Sequence, residues 1–255
     1  MYATTQPLQP LVDAIVGARV SHVPAEATAA LEPATRPIAY ATQHAVAAAL
    51  GVHVAGWKVG MRPDGTPMAA PMFAGDIRGN GASWPLPAAG ALIIEVEIAL
   101  RLRSDLPPRP GRPYTRDDIA AAVGEVLVGV EVLKSRFAGD GFPPFAIHLA
   151  DNLGNAGYVI GEATRDFASL DLARLRCRYS LDGVEVQDRI GGHPQDDPWA
   201  PVIACVNEAA VGLDGYCAGQ VITTGSLIKP APIDRAQSLV ADIEGVGRVE
   251  MTFVA

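Results

Sequence analysis

The run Leu92-Ile93-Ile94-Glu95-Val96-Glu97-Ile98-Ala99-Leu100 constrains this chain more than any other stretch. Its Ile, Val and Leu content predicts a strand with a buried face. Side chains two apart on a strand share a face, roughly 7 Å from one another along the chain, so Glu95 and Glu97 project together. A buried ionised acid without a partner is costly, and two neighbouring carboxylates repel. Two arrangements relieve that cost. In one, the second face is wet and the acids are solvated. In the other, a divalent cation takes both, because carboxylate oxygens are preferred ligands of hard ions such as Mg²⁺ and Mn²⁺.

A second stretch weighs toward the cation. Val128-Gly129-Val130-Glu131-Val132-Leu133 is equally apolar and is again interrupted by a lone acid, Glu131. Three acids in two buried-looking strands form a carboxylate set for a metal, and Mg²⁺ would leave its other positions to water or substrate. Between the two strands, Thr115 caps a helix with Asp118 three residues on, and the helix is expected to run to about Val126.

A cation of the chain's own stands further upstream. His53-Val54-Ala55-Gly56-Trp57-Lys58-Val59-Gly60 reads as a short strand bracketed by glycines, with Lys58 in apolar company. Burial lowers a lysine pKa and suits acid/base chemistry; the alternative is a lysine that snorkels to water from a strand edge.

The remaining chain supplies a frame for these groups. Leu8, Leu11, Ala14, Ile15 and Ala18 recur at helical spacing after Pro7, and the Ala-rich run Ile38 to Leu50 predicts a second helix stopped at Gly51. Met61 to Pro87 reads as loops, with a turn at Pro63-Asp64-Gly65 and an irregular stretch from Gly75 through Asp76 to Gly81. Asp151 and Asn152 belong to a polar cluster that also reads as a turn or helix cap. Asp182-Gly183 joins two strands as a hairpin, and Asp196-Asp197-Pro198 opens a helix with Val202, Ile203, Val206 and Ala210 on one face. Gln220 to Ser226 predicts a strand that ends in the small polar turn Thr224-Gly225-Ser226, able to offer hydroxyls and N–H groups to a carboxylate. The segments 238–243 and 248–254 read as a further hairpin. The division expected is an N-terminal helical and loop region over 1–86 and a strand-dominated C-terminal domain over 87–255.

Charge narrows the partners. A formal charge of −8 and a pI near 5.1 argue against nucleic acid and anionic membranes, so an anionic substrate needs a metal or a local cation. Three cysteines without CxxC spacing point to reduced thiols and a cytoplasmic setting. Neither a signal peptide nor a membrane span is read from the sequence. None of the five histidines has metal-ligand spacing to another, and each reads as structural or superficial.

Taken together, Gly56-Trp57-Lys58-Val59-Gly60, Glu95-Val96-Glu97, Glu131 ahead of Ser135-Arg136, Ala150-Asp151-Asn152 and Thr224-Gly225-Ser226 resemble, in order and spacing, the 2-oxopent-4-enoate hydratases and 2-oxo-3-hexenedioate decarboxylases of the fumarylacetoacetate hydrolase-like superfamily. The resemblance runs from about Ile38 to the C-terminus. It implies an α+β fold, a mixed β-roll with a helical N-terminal part, assembled as a homo-oligomer. It also implies Glu95, Glu97 and Glu131 as ligands of Mg²⁺ or Mn²⁺, Lys58 as the catalytic lysine, and a substrate pocket that takes in Asp76, Asp151, Asn152, Thr224, Gly225 and Ser226. The chemistry it implies is hydration of a small 2-oxo-4-enoate through an enolate stabilised by the cation, with decarboxylation of a 2-oxo-3-enedioate as the alternative. Lys134 stands where the hydratases commonly carry an acid before Ser-Arg. The acid–histidine pair of the C–C bond hydrolases is not found, which makes hydrolysis the runner-up. A fold that merely binds an oxo acid or a partner is the reading from outside enzymology; bare buried acids argue against it.

Overall fold

The structure, a computed structural model, describes residues 7–88, 90–208 and 215–255. Two helices come first. Leu11, Val12, Ile15 and Ala18 bury one side of α1 (Gln9–Ser21). Pro37 in the first turn starts α2 (Arg36–Leu50), and Gly51, at φ 64°, ends it in the left-handed region. Next follow β1 (Val54–Met61), β2 (Pro67–Phe73), β3 (Ile77–Gly79), β4 (Ala82–Pro85), β5 (Leu92–Leu102), α3 (Arg116–Ala122), β6 (Val123–Leu133), α4 (Phe145–Ala150) and β7 (Asn155–Thr164). The chain closes with β8 (Arg176–Leu181), β9 (Val184–Ile190), α5 (Trp199–Val206), β10 (Val221–Ser226), β11 (Ala231–Ile233), β12 (Gln237–Ile243) and β13 (Gly247–Val254).

These strands make two sheets. The larger runs β2-β1-β10-β5-β6-β7-β3, with β11 pairing the first residues of β5; the smaller runs β4-β13-β12-β8-β9. The pairs β1–β10, β3–β7 and β4–β13 are parallel and the others antiparallel, so the class is the expected mixed α+β roll with N-terminal helices. Both sheets draw strands from either side of residue 86. At the centre, β5 lies between β10 and β6. Ile94, Val96 and Ile98 face Val132, Val130 and Val128 across that pair, all fully buried in the main core. The alternate residues of β5 therefore point away from that core, and they include both acids.

Local chemistry accounts for several boundaries. Thr115 Oγ1 accepts from the Asp118 N–H at 3.2 Å while the Asp118 carboxylate accepts from the Thr115 N–H at 3.0 Å, a complete capping box. The Asp182-Gly183 hairpin holds both turn residues at positive φ, 49° and 75°. Asp197 Oδ1 accepts from the Trp199 N–H at 3.0 Å and starts α5. Ala210, placed by sequence on that helix, lies outside the described residues.

Two expectations are corrected. Residues 61–87 are not mainly loop but contain β2, β3 and β4. Pro67 and Pro71 mask β2, yet β2 is the edge strand of its sheet, where a missing N–H is tolerated; β3 and β4 are too short to show a period. The helix after Thr115 ends at Ala122, four residues before Val126, because Val123 already pairs with Leu102 in β6. No helix among the described residues is long and apolar enough to cross a membrane.

Candidate metal centre and active site

Strand register assembles the acids. Glu95 lies directly opposite Glu131, and Glu97 opposite Gly129. One carboxylate oxygen from each of Glu95, Glu97 and Glu131 lies within 4.8 Å of the others. Glu97 and Glu131 are buried, at 1% and 0% exposure, and Glu95 is partly open. Burial, together with repulsion from Glu95, pushes the Glu131 carboxyl up to about 7 against the pull of Lys58. Burial and then Glu131 and Glu95 raise Glu97 as well.

Three of the carboxylate oxygens have a nitrogen nearby. Asn155 Nδ2 donates to Glu131 Oε1 at 2.7 Å, and Lys58 Nζ stands 3.0 Å from Glu131 Oε2 and 3.6 Å from Glu95 Oε2. Glu97 Oε2 is buried with no hydrogen-bond partner. A buried acceptor left open among three hard oxygen donors fits a divalent cation.

Lys58 departs from its expected state. It sits on β1, two strands from β5 and three from β6, and the curl of the sheet lets it reach both acids. Burial pulls its pKa down, but Glu131, Glu95 and Glu97 outweigh burial and hold it above the ordinary lysine value. It is an ammonium ion, not the depressed amine that apolar neighbours suggested.

A cavity of about 570 Å³ opens over this group. Lys58, Glu95, Glu97, Gly225 and Ser226 form its floor, and Met68, Phe145, His148 and Leu153 its walls. The polar groups of the other sequence-derived candidates have partners within the fold. Thr224 is buried behind the floor; its hydroxyl donates to the Ile98 carbonyl at 2.8 Å and its own carbonyl accepts from His193 Nε2 at 2.7 Å. The Ser226 hydroxyl is likewise committed, donating to the Ile228 carbonyl at 2.9 Å. Asp151 pairs with Arg136 at 2.6 Å, and Asn152 Nδ2 donates to the Pro71 carbonyl at 3.3 Å. Asp76 lines a separate cavity of about 310 Å³ and lies 3.6 Å from Arg19.

Sequence reasoning passed over two groups. His148, on the last turn of α4, lines the cavity; burial, then Lys58 and Arg136, drive its pKa down to about 3, so its ring is neutral. Tyr158 faces Glu131 across β6–β7 with its hydroxyl buried and unpartnered. Neither carries a local pattern that a periodicity could expose. The Tyr158 ring rests on Gly129, where an added Cβ would sit 2.3 Å from the ring. Gly129→Ala should therefore destabilise by about 1–3 kcal/mol through overpacking, read as a lower urea midpoint.

The two buried thiols are poorly suited to nucleophilic work. Burial pushes both Cys177 and Cys205 up to about 12, and all three cysteines are free.

No family model matches the chain. A 2-hydroxyhexa-2,4-dienoate hydratase of Comamonas testosteroni is 32% identical over 176 residues, which are 68% of this chain and 65% of that relative, just under two thirds of its length. A 2-keto-4-pentenoate hydratase of Burkholderia vietnamiensis is 30% identical over 183 residues, 71% of this chain and 68% of the relative. Among solved structures, the 4-oxalocrotonate decarboxylase of Pseudomonas putida G7, complexed with magnesium and adipate, aligns with a TM-score of 0.81 over 97% of both chains at 23% identity. At that identity the likeness establishes the fold.

Proposed function

We propose, from the premise that the chain belongs to the 2-keto-4-pentenoate hydratase-related family of the fumarylacetoacetate hydrolase-like superfamily, that it is a divalent-metal-dependent lyase which hydrates a small 2-oxo-4-enoate. The observation that carries this reading is the carboxylate trio, two of its members buried and Glu97 Oε2 without a hydrogen-bond partner, set beside an ammonium in a cavity. Glu95, Glu97 and Glu131 would hold the cation, Mg²⁺ or Mn²⁺, which when bound supplies Lewis acidity toward the 2-oxo acid.

The chain's own groups do the rest. Lys58 Nζ keeps a positive charge at the edge of the carboxylates, where the substrate's oxo oxygen gathers negative charge as the enolate forms. Its proton lies within reach of that oxygen's position or of a water beside it. Phe145, Leu153 and Met68 give the hydrocarbon part of the substrate an apolar wall. Gly225 and Ser226 bound the floor opposite the acids. The dienol form of the 2-oxo-4-enoate takes a proton at C5 and becomes the conjugated 3-enone, and water then adds its oxygen at C4 and a proton at C3.

Glu97→Ala tests the metal set. It should weaken Mg²⁺ or Mn²⁺ binding by at least about tenfold, about 1.4 kcal/mol, in a calorimetric titration; unchanged affinity removes Glu97 from the site. Activity is followed with a 2-oxo-4-enoate as loss of the alkene without release of CO₂, and a chelator should abolish it. Turnover that persists after complete metal removal would reject the proposal, and CO₂ release would replace hydration by decarboxylation.

A further inference from the structure

The cavity of about 310 Å³ that Asp76 lines shares no lining residue with the catalytic cavity. Its polar side is cationic. Arg19, on α1, lies over the Phe73 ring with its guanidinium carbon 4.8 Å from the ring centre. Arg19 Nη2 donates to the Asn155 carbonyl at 3.3 Å, and Arg136 Nη1 donates to the same oxygen at 2.8 Å. Two guanidinium groups thus meet on one neutral acceptor. Lys134, two residues before Arg136, lines the same space, and among the described residues its ammonium has no carboxylate within 4.0 Å.

Two carboxylates answer these three cations. Asp151 is engaged by Arg136 at 2.6 Å, and Asp76 lies 3.6 Å from Arg19, longer than a hydrogen bond. One positive charge is left over. Arg19 Nε is also buried with no hydrogen-bond partner. The crowding registers on the cations themselves, because burial and then Arg136 lower the pKa of both Arg19 and Lys134. An orphaned charged donor beside surplus positive charge costs stability that a bound anion would restore.

The other side of the cavity is apolar, formed by Leu50, Val52 and Phe73. Between the two sides stands Ser135, whose Oγ accepts from the Phe137 N–H at 2.9 Å and keeps its own proton to donate.

We propose that this cavity is a second binding site, distinct from the catalytic one, for a short-chain monocarboxylate. Its carboxylate would take the Arg19 and Lys134 charges and the Ser135 hydroxyl, and its carbon chain would cover Leu50, Val52 and Phe73. A single surplus charge matches a monoanion. A phosphate dianion would meet Asp76 in the same wall and would gain nothing from the apolar side.

Methyl spectra of the full chain, loaded with Mg²⁺ and titrated with butyrate at low salt, test the site. The Leu50 and Val52 methyl resonances should shift saturably. Butyramide, which keeps the shape without the charge, should bind at least about tenfold more weakly, as should inorganic phosphate. Arg19→Gln and Lys134→Gln should each weaken butyrate about fivefold or more, and Lys229→Gln, which alters a cation of the catalytic cavity, should leave these shifts unchanged. Lys134 is half-buried and holds no acid, so Lys134→Gln decides the matter if Arg19→Gln fails to fold. Shifts confined to Met68 and Leu153, which line the catalytic cavity, overturn the proposal. Equal affinity for butyramide, or a Lys134→Gln variant that binds butyrate as before, overturns it as well. Phosphate that binds as tightly as butyrate overturns the monocarboxylate class.

Discussion

Lys58→Met should lower kcat by about 10²–10⁴-fold while divalent-metal affinity holds or rises. Methionine keeps the apolar stem and removes both the charge and the proton. In the structure Lys58 Nζ stands 3.0 Å from Glu131 and 3.6 Å from Glu95, so its loss leaves three carboxylates without their internal counter-ion. That change favours a cation at the acids. It also removes the positive charge next to the place where the substrate becomes an enolate. The two effects run in opposite directions, and this separates the possible roles. A lysine that only neutralised the acids would, on removal, tighten metal binding with little change in kcat. A lysine with no part in the site would change neither quantity, with a stability effect within about 0.5 kcal/mol. Steady-state kinetics at saturating Mg²⁺, beside a metal titration, distinguishes all three. Full turnover in the variant would remove Lys58 from the mechanism.

The parts of this site that could be read in sequence are those with a local geometric rule. Glu95 and Glu97 announce a shared face because a strand has period two, and Glu131 stands out because an acid among valines needs a partner. The same holds for the Thr115 capping box and the Asp182-Gly183 hairpin, whose residues bond within four positions of one another. What sequence could not give is distance in space. The partners that fix the state of Lys58 lie on β5 and β6, so its apolar neighbours on β1 suggested a depressed pKa where the acids raise it. Asp76 and Asp151 follow the same logic in reverse. Each sits in a stretch with a functional look, yet the fold gives one to Arg19 and the other to Arg136. His148, Arg189 and Lys229 meet at one cavity from α4, β9 and the segment after β10, which no spacing rule connects.

Asp151 supplies the sharper stability test, because its surroundings argue for a structural task. Its carboxylate accepts from Arg136 Nε at 2.6 Å and from the Arg136 backbone N–H at 3.1 Å, and its carbonyl accepts from Arg136 Nη2 at 2.6 Å. Asp151 is fully buried and Arg136 is 8% exposed. The same arginine donates to the Asn155 carbonyl at 2.8 Å, so it ties the end of α4 to the start of β7, whose Asn155 side chain holds Glu131. Arg19 is close enough that burial and then Arg136 lower its pKa to about 10. Removing Asp151 leaves the buried Arg136 guanidinium, with the partly buried Arg19 close enough to repel it, without its carboxylate. Asp151→Ala should therefore cost about 3–5 kcal/mol, the usual penalty for stranding one member of a buried pair, which is a large part of the 5–15 kcal/mol or so that holds a typical domain. A drop in the urea midpoint with unchanged m value reports it. Asp151→Asn keeps the shape and tests the other role. If Asp151 acted on substrate, that variant would raise KM in protein that remains folded. A structural Asp151 instead lowers the midpoint and leaves KM of the folded fraction unchanged, and a raised KM with an unaltered midpoint would return Asp151 to the substrate pocket.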